Sequence, residues 1–251
     1  MPMTLSAVTL VNSDALYAQF KQSLSIQDPR SSIEYIPVRA DSMGWNAATA
    51  LNNGIGQAHG DWVMLAHQDV IFPVSWYERV TDILHGLSRE TAIVGLVGIR
   101  PNGGFAGHVR DPHGHLRWLP LPAKVMSIDE HVIFLRRSSA IRFDPENPGF
   151  HCYGTDICYA AEEGGLESIV IDAPVVHLSG GRTDDSYDTA AAWLLGKWGR
   201  HARNVIPTCA RMIYSAGLGN LPYLLRIRHN WQACQRPGVA ACNCLSTELA
   251  E

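Results

Sequence analysis

Trp62-Val63-Met64-Leu65-Ala66-His67-Gln68-Asp69 is the stretch on which the fold turns. Five apolar residues bounded by Gly60-Asp61 read as a short buried strand, and the run stops abruptly at a polar triplet. In open α/β sheets ligands gather beyond the carboxyl ends of the strands, so this triplet stands where chemistry is expected. Just upstream, Ala47, Ala48, Leu51, Ile55 and Ala58 recur at helical spacing, with Gly60 placed to cap the helix end. Before them comes a strand at 6–11, closed by the turn and capping residues Asn12, Ser13 and Asp14. A helix from 15 to about 24, a second strand at 33–38 after Pro29 and a polar loop at 39–43 complete the N-terminal half.

Downstream, the pattern predicts a helix over 76–87 and a buried strand over 92–99, interrupted by Gly95 and Gly98. Residues 101–121 carry glycines, histidines and arginines without periodicity, and read as a long loop or small hairpin covering the site. A strand at 132–135, a helix at 155–163, a strand at 169–171 and a helix at 188–198 follow. The alternation predicts an α/β fold with a parallel or mostly parallel central sheet and helices on both faces. Residues 1–207 are expected to form one catalytic domain, and 208–251 a partly helical tail interrupted by Pro222 and Pro237.

Composition narrows the function classes. The 251 residues are 46% apolar and 18% charged, ordinary globular proportions. Net charge is −4 with no lysine- or arginine-rich block, which argues against nucleic acid as a partner. No apolar run reaches the length of a membrane span, and the first ten residues lack a leader's features. The six cysteines form no Cys-x-x-Cys pair; they are expected to be reduced thiols of a cytoplasmic protein, with Cys242 and Cys244 close together in the tail. Arg211, Arg226, Arg228 and Arg236 are compatible with a peripheral contact at the inner membrane or with a homodimer. No Gly-x-Gly-x-x-Gly or P-loop follows the first strand, which disfavours dinucleotide oxidoreductases and P-loop kinases.

Four constellations can carry chemistry. Asp69, with His67 beside it at a strand end, suits a Mg²⁺ or Mn²⁺ that meets the charge of a diphosphate; the competing reading is a helix-capping turn. His177 ends the apolar run 169–176 before Ser179-Gly180-Gly181, and fits either a Mn²⁺ ligand or a hydrogen-bonded structural residue. Asp156, in a glycine-punctuated loop entering a helix, fits a cap or a general base. Asp129 and Glu130 fit solvated charge or a grip on sugar or acceptor hydroxyls. His108, His113 and His115 lack the cysteines or closed set that a zinc site needs.

Taken in order, these blocks resemble the family 2 glycosyltransferases of GT-A (nucleotide-diphosphosugar transferase) fold, in a bacterial branch whose metal motif reads His-Gln-Asp in place of Asp-x-Asp. The stretches that carry the resemblance are 50–62, 65–70, 128–130, 143–144, 153–158 and 170–177, within a span of about 5 to 200. The resemblance implies that Asn12 lies at the nucleobase and Asn52 near the nucleotide, with His67, Gln68 and Asp69 at the donor. It further implies that Asp69 and His177 hold Mn²⁺ or Mg²⁺, that Asp129 and Glu130 face donor sugar or acceptor, and that Asp156 is the base of an inverting transfer to a carbohydrate or other hydroxyl-bearing acceptor. His67 replaces the first acid of the motif, and Thr155 stands where many members carry Glu. Two other readings compete: a nucleotidyltransferase or sugar-nucleotide hydrolase, and a catalytically silent nucleotide-sugar-binding module.

Overall fold

The computed structural model describes residues 3–28, 32–181, 183–202, 205–214 and 221–234. Pro29, Arg236, Pro237, Cys242 and Cys244 lie outside them. The chain opens with β1 (Leu5–Leu10), α1 (Asp14–Ser25), β2 (Ile33–Val38), a one-turn helix α2 (Ala40–Met43) and α3 (Ala47–Gln57). Then come β3 (Trp62–Ala66), β4 (Val70–Ile71), α4 (Trp76–His85), β5 (Thr91–Gly95), β6 (Val97–Ile99), β7 (Phe105–Asp111) and β8 (Gly114–Trp118). β9 (Ala123–Lys124), β10 (Ser127–Ile128), β11 (Val132–Arg136), α5 (Tyr153–Glu163), β12 (Glu167–Val170) and β13 (Val176–His177) follow. The described chain ends with α6 (Asp185–Trp198), β14 (Val205–Pro207), β15 (Met212–Tyr214) and α7 (Leu221–Cys234).

A seven-stranded sheet in the order β2-β1-β3-β11-β5-β12-β9 forms the centre. All five residues of β3 are buried because both faces of this sheet are covered. Trp62, Met64 and Ala66 point into a core shared with Phe20 and Leu24 of α1 and Trp76, Val80 and Leu84 of α4. Val63 and Leu65 point into the opposite core, with Ala48, Leu51 and Ile55 of α3 and Ile157 and Ala161 of α5. The period-two alternation of strand side chains thus sorts one apolar run between two layers of helices. Ser13 and Asn46 cap α1 and α3, their side chains accepting from Leu16 N and Thr49 N.

The sheet is mixed, not mostly parallel. β1/β2, β1/β3 and β5/β12 are parallel, whereas β3/β11, β11/β5 and β12/β9 are antiparallel. Strand direction depends on the long excursion between β5 and β11, which periodicity does not record. The apolar run 92–99 is two strands: at Leu96, whose carbonyl accepts from His108 N, the chain leaves the central sheet for a second one. That second sheet runs β10-β6-β7-β13-β4, with β8 paired to β7, so residues 101–121 do contain a hairpin. The polar segment 39–43 holds α2. Gly60 is not a helix cap: α3 ends at Gln57 with Ala58 as its C-cap, and a Cβ on Gly60 would lie 2.6 Å from Ser6 N, so this glycine is required by the close approach of the chain to β1.

The boundary expected at residue 207 falls inside the β14–β15 hairpin, where Ile206 pairs with Ile213. Tyr187, Leu194 and Trp198 of α6 share a core with Ile206 and Ile213. α7 packs back on the body: Trp231 Nε1 donates to Thr208 O, Asn230 Nδ2 to Asn102 O, and Cys234 O accepts from Trp118 Nε1. No helix among the described residues is long and apolar enough to cross a membrane.

Candidate active site

The polar triplet leaves β3 and turns into β4, which pairs antiparallel with β13, Val70 opposite His177. This register brings a residue more than a hundred positions away against the triplet. His67 Nδ1 and His177 Nε2 stand 3.4 Å apart, and His177 Nε2 and Asp69 Oδ1 also 3.4 Å apart. Among the described residues these three form the one group of His, Cys, Asp or Glu side chains able to close on a cation. Ligand atoms bound at about 2.1 Å to one ion stand about 3.0–3.4 Å from one another; both His177 spacings meet this, and all three atoms lie within 4.8 Å of one another. Asp69 does not cap α4, which begins at Trp76 after Ser75.

The electrostatics also suit a cation. Burial, helped by the His177 charge, pushes His67 down to about 4, so it presents a neutral ring, the ligand form. Burial works against ionisation of Asp69, but hydrogen bonds from His177 and Ser179 prevail and hold its carboxyl well below the usual range. For His177 burial opposes the charged ring, and the Asp69 hydrogen bond with the charges of Asp129, Asp69 and Asp111 outweighs it.

Asp129 and Glu130 part company. Asp129 Oδ1 accepts from His131 N at 3.1 Å and meets His131 Nδ1 at 2.5 Å, and its side chain remains 37% exposed. Glu130 turns toward α5, where Oε1 accepts from Gly154 N at 3.0 Å. Cys152 at the start of α5 supplies no side-chain cap, so Glu130 takes that role from another element. A Cβ on Gly154 would lie 2.6 Å from Ile128 O and 2.9 Å from Glu130 Cγ. Gly154→Ala is therefore expected to destabilise the fold by about 1–3 kcal/mol in denaturant unfolding, and an unchanged midpoint would contradict this packing.

Burial pushes Glu130 up from 4.5 to about 8, against the Gly154 hydrogen bond. Between those values the folded protein holds a proton on Glu130 that the unfolded chain has lost, so stability falls as pH rises through that window. Glu130→Gln keeps an acceptor for Gly154 and removes the titration. Thermal melts of this variant are expected to vary less between pH 5 and pH 8 than those of the wild type; parallel curves would contradict the assignment.

Tyr153 links α5 to the triad through Oη, 3.3 Å from His67 Nε2. One turn further along, Asp156 is nearly buried, its side chain 3% exposed. Asp156 Oδ1 accepts from Lys197 Nζ at 2.7 Å and Trp198 Nε1 at 2.6 Å, while no described residue bonds Oδ2. Lys197 also reaches Asp144 Oδ2 at 2.6 Å. Burial raises Asp156 above the ordinary carboxylate value, with Lys197 and Trp198 opposing the rise.

A cleft of about 480 Å³ opens at the carboxyl ends of β1 and β2, lined among others by Asp14, Tyr17, Arg39, Trp45, Asn53 and Gln57. Arg39 pairs with Asp14 across it. Asn12 and Gln68, both expected at the donor, bind each other. Gln68 Oε1 accepts from Asn12 N and Ser13 N, and its amide donates to Asn12 Oδ1, tying the 67–69 triplet to the turn that borders the cleft. The Asn52 amide exchanges hydrogen bonds with the backbone of Phe143 at 2.8 and 3.0 Å, and its neighbour Asn53 lines the cleft.

The hairpin histidines form no closed set. His108 lies between Asp172 and His115, and His113 touches Gly180 O. Cys152 and Cys158 are pushed up to about 12 by burial, which leaves neither a ready thiolate. Sequence reasoning missed His131, Tyr153, Lys197, Trp198 and most of the cleft. Only the Asp129-x-His131 spacing was a local signal; the others depend on which elements the fold brings together.

No family model matches the chain. A curated relative, "ATP synthase subunits region ORF 6" of Fuscovulum blasticum, is 27% identical over 138 residues, 51% of this chain and 55% of that protein. Solved structures similar in shape include GalNAc-T7 with UDP, GalNAc and Mn²⁺ (TM-score 0.58, 13% identity, 80% of this chain and 49% of that one). The mannosyltransferase PcManGT of Pyrobaculum calidifontis with GDP-Man and Mn²⁺ matches at TM-score 0.54 and 11% identity, over 93% of this chain and 73% of that one. S. aureus TarS with UDP-GlcNAc matches at TM-score 0.52 and 10% identity, over 92% and 81%. The chain spans about half the length of the curated relative (55%) and of GalNAc-T7 (49%). With these three structures sharing its architecture, the chain has the GT-A fold.

Proposed function

We propose that this chain is an inverting glycosyltransferase that moves a sugar from a nucleotide-diphosphosugar to an acceptor hydroxyl, with Mn²⁺ or Mg²⁺ held by His67, Asp69 and His177. The observation that carries the reading is the convergence of those three ligand atoms beside a cleft at the carboxyl ends of β1 and β2. Two imidazoles in the donor set favour Mn²⁺ over Mg²⁺, which prefers oxygen. When bound, the cation supplies a Lewis acid that offsets the charge gathering on the departing diphosphate.

The remaining work falls to the chain itself. Tyr17, Trp45 and Arg39 line the cleft that would receive the nucleobase, two aromatic rings and a guanidinium suited to stacking and polar contact. Gln68 holds the β1–α1 turn so that cleft and triad keep one geometry. Asp156, with Oδ1 fixed by Lys197 and Trp198, has Oδ2 left to take the acceptor's proton as the hydroxyl oxygen attacks the anomeric carbon. The bond from that carbon to the diphosphate breaks as the new one forms. The reading implies a cytoplasmic site of action, free or peripheral to the inner membrane, and a carbohydrate or other hydroxyl-bearing acceptor.

A panel of diphosphosugars and acceptors, with Mn²⁺ or with chelator, tests it. Metal-dependent release of nucleoside diphosphate with inverted anomeric configuration by NMR is expected. Pyrophosphate from a sugar phosphate and a nucleoside triphosphate would replace the reading with a nucleotidyltransferase, and donor binding without turnover would replace it with a binding module.

A further inference from the structure

We propose that His131 is a positioning residue that sets Asp129, leaving one oxygen of Asp129 to grip the donor sugar. The proposal rests on the glycosyltransferase reading and deepens it. His131 is buried, its side chain 2% exposed, and both its backbone N–H and Nδ1 address the same oxygen, Asp129 Oδ1. The spacing of two residues lets the ring fold back on the carboxylate. Asp129 N in turn donates to Val97 O at 2.9 Å, so the backbone on both sides of the carboxylate is fixed. The opposite oxygen, Oδ2, meets no described hydrogen-bond donor, on a side chain that keeps 37% of its exposure.

The pair borders the metal triad on two sides. The His131 ring stacks on His177, centroids 5.5 Å apart at 23°. The His131 carbonyl accepts from His67 N at 3.0 Å. An ionised carboxylate with one oxygen saturated and the other open, next to a diphosphate-binding cation, is suited to accept from sugar hydroxyls.

Packing alone does not account for the imidazole. His131 Nε2 is buried and has no hydrogen-bond partner among the described residues. A buried acceptor left unpaired costs free energy, whereas an apolar ring of similar shape would fill the pocket without that cost. What only the imidazole supplies here is the Nδ1–H donated to Asp129.

The test is calorimetric titration of UDP, GDP, UDP-GlcNAc and GDP-mannose with Mn²⁺ present, on wild type, His131→Asn, His131→Phe and Asp129→Asn. Asparagine places an amide N–H near the position of Nδ1; phenylalanine keeps the shape and loses the donor. Nucleoside diphosphate affinity is expected to stay within about 3-fold of wild type throughout, since the proposal gives the diphosphate to the cation and the sugar to this pair. Affinity for the accepted diphosphosugar is expected to fall about 10-fold or more in His131→Phe and Asp129→Asn, the loss of a charge-assisted hydrogen bond, and to be largely kept in His131→Asn. The double variant should be no worse than either single one. Should His131→Phe not fold, His131→Gln replaces it, its amide reaching the position of Nε2 instead of Nδ1; the same loss is expected. Diphosphosugar binding unchanged in these variants, or lost in equal measure with the bare diphosphate, overturns the proposal while leaving the transferase reading standing. A wild type that binds no nucleotide at all overturns both.

Discussion

Asp69→Ala is expected to lower turnover by at least about 10²–10³-fold and to erase its dependence on added Mn²⁺. Asp69 contributes the sole carboxylate oxygen among the described residues of the triad, 3.4 Å from His177 Nε2. The carboxyl is held well below the usual range, so it is charged at every working pH. Its backbone carbonyl accepts from Leu178 N, so alanine preserves the β4–β13 junction while deleting the anion. What remains is two facing imidazoles, a weaker site for a hard divalent cation. A purified, folded Asp69→Ala that turns over within a few-fold of wild type would contradict the assignment.

The second large effect is on the acceptor side. Asp156→Asn is expected to cost about 10²–10⁴-fold in kcat, the usual contribution of a general base, while donor affinity is kept. Asparagine still accepts from Trp198 Nε1, and Lys197 retains Asp144, so the α5–α6 contact survives. The pH profile adds a signed test. A base must be ionised, and burial raises Asp156, so the acid limb of kcat is expected above the ordinary carboxylate value of 3.8. Lys197 opposes that rise; removing its charge in Lys197→Met leaves burial less opposed and is expected to move the limb to higher pH. An acid limb that does not move, or that shifts downward, would exclude Asp156 as the group titrating in the rate.

The features legible in the sequence were those that follow from short-range pattern. β3 and the stripe of α3 were readable because an apolar run and a 3.6-residue period each have one economical burial. The triplet 67–69 and His177 were readable because each stands at the carboxyl end of an apolar run that finishes in a strand. The antiparallel β11 and the sheet switch at Leu96 were not, since pairing partners are chosen by distant strands. Asn52 and Asn53 differ by one position, about 100° around α3, and only the packed helix decides which one meets Phe143 and which the cleft. The Glu130 cap and the Lys197–Asp156 pair depend on side chains 24 and 41 residues apart, separations that carry no local signal.

The account stands on one cation site shared by His67, Asp69 and His177. Electron paramagnetic resonance of free Mn²⁺, followed as wild type, His67→Ala, Asp69→Ala and His177→Ala are titrated in with UDP or GDP present, addresses that site directly. The account predicts that wild type depletes the free-ion signal with one Mn²⁺ per chain, more tightly when the right nucleotide is present, and that each variant loses this binding. Wild type that leaves the signal untouched with either nucleotide, or three variants that bind Mn²⁺ as wild type does, would contradict it.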